Sequence, residues 1–419
     1  MKEKQLQIGL FGFGVVGEGI YHVLRETPSL NATIRKICIR HPEKERQAPA
    51  HLFTTDHDLL LDDPEINLVV ELIDDADAAY RIVTAALRKK KHVVSANKKL
   101  IAEHLPELLY LQKEAGVSFL YEAAVCGSIP ILRNLEEYYD NDLLQSICGI
   151  VNGSTNFILT RIAEDGISYR EALLQAQQLG FAESNPALDV EGIDAANKLT
   201  ILLAHAYGII THPSKLLHGG ITRLNASAAV YAAEKRWRIK LAAQAHRVAN
   251  NKIAAFVLPQ FVKEDSQLFN VRDEYNGVVI ESKLADKQFL YGKGAGRYPT
   301  ASAVISDISA LLYQYRYEYK KMTRPERYQL SSDYYLRVFV SFNELAEVSK
   351  WDFEEVFEFH STQEHHYLTG LIQVEKLQQA AWFRSPSVAV VLLPDALVEK
   401  ERLVTSSLKR VSLQLAGVN

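Results

Sequence analysis

The sequence predicts an α/β protein with three parts: a doubly wound parallel sheet, an α+β domain after it, and a small α+β domain at the C-terminal end. Two observations predict this class. Strand-like and helix-like blocks alternate over residues 5 to 130, which is typical of a parallel sheet covered by helices on both faces. From about residue 131 the alternation gives way to longer helical stretches mixed with isolated strand candidates.

The blocks follow one another in the order of βα units. The strand candidates are LQIGLF, ATIRKICIR, INLVVELI, HVVSA and VSFLYEAA, and the helix candidates include VVGEGIYHVLRE, YRIVTAALRKKK and LPELLYLQKEAG. We place domains at residues 1–132, 133–322 and 331–419, joined before the last by the polar stretch KKMTRPERYQLSS. We also expect the helix after Gly296 to pack back on the first domain.

Composition and charge exclude several classes of protein. Of the 419 residues, 47% are hydrophobic and 23% charged, and the net charge is −4, so no basic excess can neutralise nucleic-acid phosphates. The sequence has neither a membrane-spanning apolar run nor a signal peptide. The three widely spaced cysteines, Cys38, Cys126 and Cys148, do not fit a disulfide framework. We expect a cytoplasmic protein that binds neither nucleic acid nor a membrane.

A glycine-rich turn directly after the first strand predicts a dinucleotide site. Its sequence is Gly12-Phe13-Gly14-Val15-Val16-Gly17, which fits the pattern GxGxxG and opens a helix. In a Rossmann domain the three glycines allow a tight turn, an approach of the backbone to the pyrophosphate, and close packing of helix on strand. A turn that only packs two elements closely is the alternative. The further βα units favour the dinucleotide site.

The end of the second strand bears on the choice of cofactor. Arg40 stands where NAD-binding domains carry an acidic residue for the ribose 2′-hydroxyl, and arginine accommodates a 2′-phosphate. This favours NADP over NAD, although a solvated basic loop is the alternative. Ala96, Asn97 and Lys98 follow the fourth strand, at the sheet edge where ligands bind, so Lys98 is expected near the cofactor.

A cluster of charged residues marks the second part of the chain. Glu183, Asp189, Asp194 and Lys198 fall within sixteen residues, and the turn at Asn185-Pro186 lets the acids fold back toward one another. Asp194 and Lys198 are four residues apart on a predicted helix and share one face. Taken alone, such a pair is usually a surface salt bridge worth a few tenths of a kcal/mol.

The spacing of the whole stretch resembles the signature of the homoserine dehydrogenase family. The pattern is Ala176-x3-Gly180-Phe181-Ala182-Glu183-x-Asn185-Pro186-x2-Asp189-Val190-x-Gly192-x-Asp194-x3-Lys198. The family is also resembled by the segments Tyr121–Pro130, Gly149–Leu159, Ala96–Lys98 and Gly294–Ser302, in the same order along the chain. The resemblance covers about residues 5 to 315, and we expect a monofunctional member.

The resemblance implies a reaction and a role for each residue. Members of the family oxidise L-homoserine reversibly to L-aspartate 4-semialdehyde with NAD(P), on the route to threonine, methionine and isoleucine. Lys198 would be the general acid and base, oriented by Asp194. The substrate would be bound by Glu183, chiefly through its ammonium group, with support from Asp189. Contacts with the cofactor are implied for Phe13, Val15, Val16, Ala96, Gly296 and, beside the substrate, Lys98.

The family also implies a bound ion and an assembly. A structural monovalent cation, commonly sodium, would be held largely by backbone carbonyls of Glu122, Val125, Gly127 and Ile129. For Glu122, a carboxylate that caps the end of a strand is the alternative. The protein would be a homodimer or a dimer of dimers.

Two segments depart from the family pattern. Asp74-Asp75-Ala76-Asp77 stands where a glycine-rich turn is usual, which leaves the nicotinamide side and the cofactor preference open. The C-terminal part resembles a regulatory ACT domain from Tyr334 onward, but Ser341–Leu345 replaces its Pro-Gly turn. We therefore expect a degenerate ACT-like domain and little or no inhibition by threonine.

Two other functions remain open. The chain could be a ligand-binding homologue without turnover, although the presence of Glu183, Asp194 and Lys198 together argues against that. It could also be an oxidoreductase for another small amino-acid-like substrate. A phosphorylating semialdehyde dehydrogenase would need a cysteine nucleophile, and Cys126 is the only cysteine in a suitable loop. The resembled family holds a small residue at that position, which argues against such an enzyme.

Overall fold

The computed structural model describes residues 5–141, 143–248, 251–362 and 365–400. The chain forms two compact units. Unit 1 contains Met1–Leu143, Thr200–Pro213 and Leu290–Arg327, and unit 2 contains Leu144–Leu199, Ser214–Phe289 and Tyr328–Asn419. These units divide the chain differently from the predicted domains 1–132, 133–322 and 331–419. Residues 401–419 of the last predicted domain lie outside the described residues.

Helices and strands follow one another along the whole described chain. The first half contains β1 (Leu6–Phe11), α1 (Val15–Glu26), β2 (Ala32–Cys38), β3 (Phe53–Thr54), α2 (Asp58–Leu61), β4 (Leu68–Glu71), α3 (Ala76–Arg88), β5 (His92–Ser95), α4 (Lys98–Ala115), β6 (Phe119–Leu120), α5 (Leu132–Glu136), β7 (Leu144–Ile150), α6 (Gly153–Asp165), α7 (Tyr169–Gln178), α8 (Ala187–Val190) and α9 (Ile193–Tyr207). The second half contains β8 (Leu217–His218), α10 (Ala226–Glu234), β9 (Arg238–Val248), β10 (Lys252–Val262), β11 (Tyr275–Ser282), β12 (Asp286–Lys293), α11 (Arg297–Leu312), β13 (Gln329–Leu330), β14 (Tyr334–Phe342), β15 (Phe353–Ser361), β16 (His366–Gln373), α12 (Val374–Gln379) and β17 (Ala389–Glu399).

Unit 1 is built on a six-stranded parallel sheet. The strand order is β3-β2-β1-β4-β5-β6, and each neighbouring pair is parallel. The apolar residues of β1 and β4 are fully buried, because helices cover both faces of such a sheet. The order reverses between β1 and β4, and ligands of open α/β sheets bind at the carboxyl ends of the strands at such a point. The predicted doubly wound parallel sheet is confirmed.

Helix α11 belongs to this unit although it lies far along the chain. It packs against α1, where the Arg297 guanidinium is 2.7 Å from the carboxylate of Glu18. Gly19 permits the close approach, because a Cβ there would lie 3.3 Å from the Cβ of Ala301.

Unit 2 is built on an eleven-stranded sheet that includes the C-terminal strands. Its main order is β12-β11-β7-β9-β10-β17-β14-β16-β15, with β8 and β13 also paired to β10. The pairing of β10 with β17 is parallel, at Gln260 and Leu392. Residues of both strands, including Phe256 and Leu392, share one hydrophobic cluster with Leu336 of β14. The described part of the predicted ACT-like domain therefore extends the sheet of unit 2.

No helix among the described residues combines the length and the apolar character that crossing a membrane requires.

Candidate functional site

The glycine loop, Gly12–Gly17, has the geometry of a dinucleotide cradle. Gly12 adopts a φ of +95°, and a Cβ there would lie 2.9 Å from the carbonyl oxygen of Leu72. A Cβ on Gly17 would lie 2.4 Å from the carbonyl oxygen of Gly12. At Gly14, by contrast, a Cβ would meet no described atom within 4 Å. Two glycines are thus required by packing, and the middle one leaves open space where a pyrophosphate can approach the backbone.

The side chains around the loop differ in their exposure. Val15 begins α1 and is 64% exposed, and Val16 is half-buried. Phe13 packs edge-on against Phe53 and Tyr21, with ring centroids 5.2 Å and 5.9 Å away. The first amide groups of α1 lack partners within the helix, so they can bind a phosphate oxygen. The loop therefore fits NAD(P) through its backbone.

The acidic turn at Asp74–Asp77 has a structural explanation. Asp75 is the N-cap of α3, and its carboxylate accepts a hydrogen bond from the Ala78 amide at 3.0 Å. That bond, and more weakly the charges of Arg81 and Arg40, hold the pKa of Asp75 below its usual value. Arg40 itself is exposed, two residues after the end of β2. Asp75 is thus used to start a helix, and Arg40 stays accessible beside it.

A buried carboxylate that we did not predict lies at the end of β4. Glu71 is fully buried, and its carboxylate accepts hydrogen bonds from the Ile73 amide at 2.7 Å and the Ser95 hydroxyl at 2.6 Å. Asn97 completes a ring, since its amide nitrogen donates to Ser95 Oγ at 3.1 Å and its side chain to the Ile73 carbonyl at 3.0 Å. We call these four residues the Glu71 ring. Burial raises the pKa of Glu71 to about 7.

The other predicted cofactor residues lie near the ends of helices in unit 1. Ala96 follows β5, and Lys98 is the first residue of α4, half-buried like Ala96. Gly296 is the N-cap of α11, with a φ of +116°, and is exposed.

The charged residues of the predicted substrate site meet in unit 2. The Lys198 ammonium lies 2.8 Å from Oδ2 of Asp194 and donates a hydrogen bond to the Val151 carbonyl at 2.6 Å. The side chains of Lys198 and Asp194 are only 9% and 2% exposed. This pair is buried, so it is not the surface salt bridge that its spacing alone would suggest.

Asn152 joins the acids of the site and was missing from the predicted residues. Its Nδ2 donates to Asp189 Oδ1 at 2.6 Å and to Asp194 Oδ2 at 2.8 Å. Its Oδ1 accepts the Thr155 amide at 2.8 Å, which makes Asn152 the N-cap of α6. An asparagine before Gly-Ser-Thr is a recognisable capping signal, but capping alone does not indicate a role in a site. We call Asn152, Asp189, Asp194 and Lys198 the Lys198 cluster.

Among the described residues, the side chain of Glu183 forms no hydrogen bond or ion pair with this cluster. It is exposed on the loop between α7 and α8, where its backbone carbonyl accepts a hydrogen bond from Gln177 Nε2 at 3.0 Å. Asp189, on α8, is half-buried. Of the four predicted charged residues, the structure brings three together and leaves Glu183 at the surface.

The predicted cation loop is folded around a buried carboxylate. The side chain of Glu122 accepts the amides of Leu132 at 2.7 Å and Arg133 at 3.0 Å, so it caps α5. Cys126 and Gly127 adopt φ angles of +58° and +51°, which turn the backbone sharply. Ile129, like Glu122, is buried, and its carbonyl accepts the Ile131 amide. Val125 is fully buried in the same loop. The alternative for Glu122 was the cap of a strand end, and the structure shows a carboxylate that caps the start of a helix instead. The sodium site stays a prediction.

Comparisons with known proteins identify a family. The model described as homoserine dehydrogenase matches residues 130–309, and the model described as homoserine dehydrogenase, NAD binding domain, matches residues 12–122. A curated homoserine dehydrogenase from Bacillus subtilis (strain 168) is 36% identical over 322 residues, which cover 75% of this chain and 74% of that protein.

Solved structures agree with this. The homoserine dehydrogenase from Thiobacillus denitrificans aligns with a TM-score of 0.82 and 29% identity, over 93% of this chain and 98% of that chain. A hyperthermophilic archaeal homoserine dehydrogenase in complex with NADPH aligns with a TM-score of 0.64 and 25% identity, over 75% of this chain and 99% of that chain.

Proposed function

The chain belongs to the homoserine dehydrogenase family, and from that premise we propose that it oxidises L-homoserine reversibly to L-aspartate 4-semialdehyde with NAD(P). The buried Lys198–Asp194 pair is the observation that carries this proposal. A buried ion pair is weak evidence for stability, because desolvation of two charges offsets their attraction. Its presence is better explained by chemistry that needs a fixed proton donor.

The reaction needs a group that exchanges one proton with the substrate oxygen. Oxidation of the hydroxyl group removes a hydride from carbon and a proton from oxygen, and bound NAD(P) supplies the hydride acceptor. Lys198 in its neutral form can take the proton, and in the reverse direction its ammonium can return it to the carbonyl oxygen. The Val151 carbonyl and Asp194 fix the nitrogen of Lys198 for both directions.

The acids of the site suit a substrate that carries an ammonium group. Asp189 is half-buried and held by Asn152, so its carboxylate is fixed without being removed from solvent. We propose that Asp189 and the exposed Glu183 bind the ammonium of homoserine. Glu183 lies on an exposed loop, so a movement of this loop would bring its carboxylate to the substrate once the substrate is bound.

Membership of the family does not by itself specify the preferred cofactor or the oligomeric state. We propose NADP as the preferred cofactor, because the exposed Arg40 can bind the 2′-phosphate. Lys98 would lie beside the nicotinamide and the substrate. We further propose a cytoplasmic homodimer or homotetramer, and a sodium ion bound by carbonyls of the loop from Glu122 to Ile129.

An activity assay tests the proposed reaction. Purified protein mixed with L-homoserine and NADP should produce reduced nicotinamide, measured by its absorbance, and aspartate 4-semialdehyde should consume NADPH in the reverse direction. L-serine, which is shorter by one methylene, is the matched control substrate and should react far more slowly. No homoserine-dependent reduction of either NADP or NAD would contradict the proposal. A faster reaction of L-serine than of L-homoserine would contradict it as well.

A further inference from the structure

Glu71 occupies a place where an ionisable side chain is unexpected. It is the last residue of β4, paired in register with Phe11 of β1 and Ser95 of β5, and it is fully buried. The order of the sheet reverses between β1 and β4, so this is the strand end that borders the dinucleotide crevice. A carboxylate buried in a sheet without a specific partner would be costly, so its contacts should explain its presence.

The contacts of Glu71 join two loops that follow neighbouring strands. One carboxylate oxygen accepts the Ile73 amide at 2.7 Å, in the loop after β4. The other accepts the Ser95 hydroxyl at 2.6 Å, at the end of β5. Both partners are donors, so the ionised carboxylate satisfies both at once.

The loops are also joined on their outer side by Asn97. Its side chain donates to the Ile73 carbonyl at 3.0 Å and accepts the Leu100 amide at 3.0 Å, which caps α4. Lys98, the next residue, is the first of that helix. The Glu71 ring thereby fixes the start of α4 relative to the loop after β4.

We propose that Glu71 is a positioning residue for the dinucleotide, whose carboxylate holds the loops after β4 and β5 in the conformation that receives the nicotinamide half of the cofactor. It touches no reacting atom and acts through Ile73 and Asn97. This inference rests on the NAD(P) binding of the family and deepens the proposed function, but it does not depend on which substrate is oxidised.

The ionisation of Glu71 gives the role a measurable signature. Burial, assisted weakly by the charge of Asp74 and opposed by the hydrogen bonds from Ser95 and Ile73, raises its pKa to about 7. Its strand neighbours Phe11 and Ser95 carry no charge, and Lys98 is the charged residue that follows the ring directly. Below the raised pKa the carboxyl group is protonated and loses one acceptor, and above it both donors are bound. The loops should therefore be held best above neutral pH.

The test is the affinity for NADPH without substrate, measured by nucleotide fluorescence at about pH 6 and about pH 8. In Glu71→Gln, which is neutral at both pH values, the dissociation constant should rise roughly tenfold at the higher pH and by less than about threefold at the lower pH. The ratio of variant to wild type removes the titration of the NADPH phosphate itself. The exposed Glu103→Gln, on α4, is the matched control and should bind like wild type at both values.

Ser95→Ala keeps the carboxylate but removes its link to Asn97. It should weaken binding about threefold and keep a pH dependence, moved to higher pH because the Ser95 hydroxyl lowers the pKa of Glu71. This variant decides the question if Glu71→Gln does not fold. An affinity of Glu71→Gln equal to wild type, or a loss of the same size at both pH values, would overturn the proposal. So would an unchanged affinity in Ser95→Ala. Because no homoserine is present, these results are independent of whether the proposed reaction occurs.

Discussion

Asn152 shows how one side chain can organise a whole site. The same amide donates to Asp189 and Asp194 and caps α6 with its oxygen. Since Asp194 in turn holds the ammonium of Lys198, the position of the proposed proton-transfer group depends on a helix cap. The proposed chemistry and the local fold therefore depend on the same residue.

Arg40 should control the choice between the two nicotinamide cofactors. Arg40→Asp replaces a group that can bind the 2′-phosphate with one that repels it and can accept the ribose hydroxyl. The ratio of kcat/KM with NADP to that with NAD should fall at least about tenfold, which corresponds to about 1.4 kcal/mol. An unchanged ratio in steady-state assays with both cofactors would show that Arg40 does not contact the 2′ position.

Lys240 should make stability depend on pH. It is buried, donates to Asn156 Oδ1 at 2.9 Å and to the Val271 carbonyl at 2.5 Å, and burial lowers its pKa to about 7. Between that value and the usual lysine value, the unfolded chain binds a proton that the folded chain does not. The contribution of Lys240 to the free energy of unfolding should therefore rise with pH across this window, by up to about 1.4 kcal/mol per unit.

The variant Lys240→Met isolates this effect, because methionine fills a similar volume without a charge. The difference in Tm between wild type and variant should grow in favour of the wild type from about pH 7 to about pH 9. Lys283→Met, at an exposed position, is the control and should leave the pH profile unchanged. Parallel profiles for wild type and Lys240→Met would mean that Lys240 keeps its proton in the folded protein.

At the scale of one element, two glycines of the glycine loop should affect folding and cofactor binding differently. Gly17→Ala places a Cβ 2.4 Å from the Gly12 carbonyl oxygen, so the loop must shift, at a cost of about 1–3 kcal/mol in stability. Gly14→Ala meets no described atom within 4 Å, and its φ of −84° suits alanine. It should fold within about 1 kcal/mol of wild type.

The two variants should therefore differ in what they lose. Gly14→Ala should keep its Tm but weaken NADPH binding roughly tenfold or more, because the new methyl group occupies the space beside the pyrophosphate. Gly17→Ala should lower the Tm as well. Wild-type affinity in Gly14→Ala, measured by fluorescence titration, would show that the dinucleotide does not approach the backbone there.

Over the whole molecule, the C-terminal strands are part of the sheet of unit 2. The backbone amides of the turn after β14 already have a hydrogen-bond partner within the chain. The amides of Asn343 and Glu344 donate to the carboxylate of Glu347 at 3.0 Å and 3.1 Å. An amino-acid effector would need such amides for its own carboxylate. Threonine should therefore inhibit weakly or not at all in a titration of homoserine oxidation, and strong inhibition at low concentration would show that this part binds it after all.

Structural features that depend on residues close together in the sequence can be predicted from it. Contacts between residues far apart in the sequence cannot. The glycine loop and the Asp194–Lys198 pair follow from spacings of a few residues, so their positions on a turn and a helix face are predictable. Asn152 reaches acids that lie 37 and 42 residues further along the chain. The pairing of Gln260 with Leu392, which joins the C-terminal strands to the sheet of unit 2, leaves no local pattern either.

The central claim is that Lys198, held in its buried pair with Asp194, transfers the proton of the reaction. Lys198→Met should lower kcat for homoserine oxidation by about 100- to 10,000-fold, the usual contribution of a general acid and base. Its dissociation constant for NADPH should stay at the wild-type value, because the glycine loop is unchanged. A variant that keeps more than about a tenth of the wild-type kcat with cofactor affinity intact would contradict the claim.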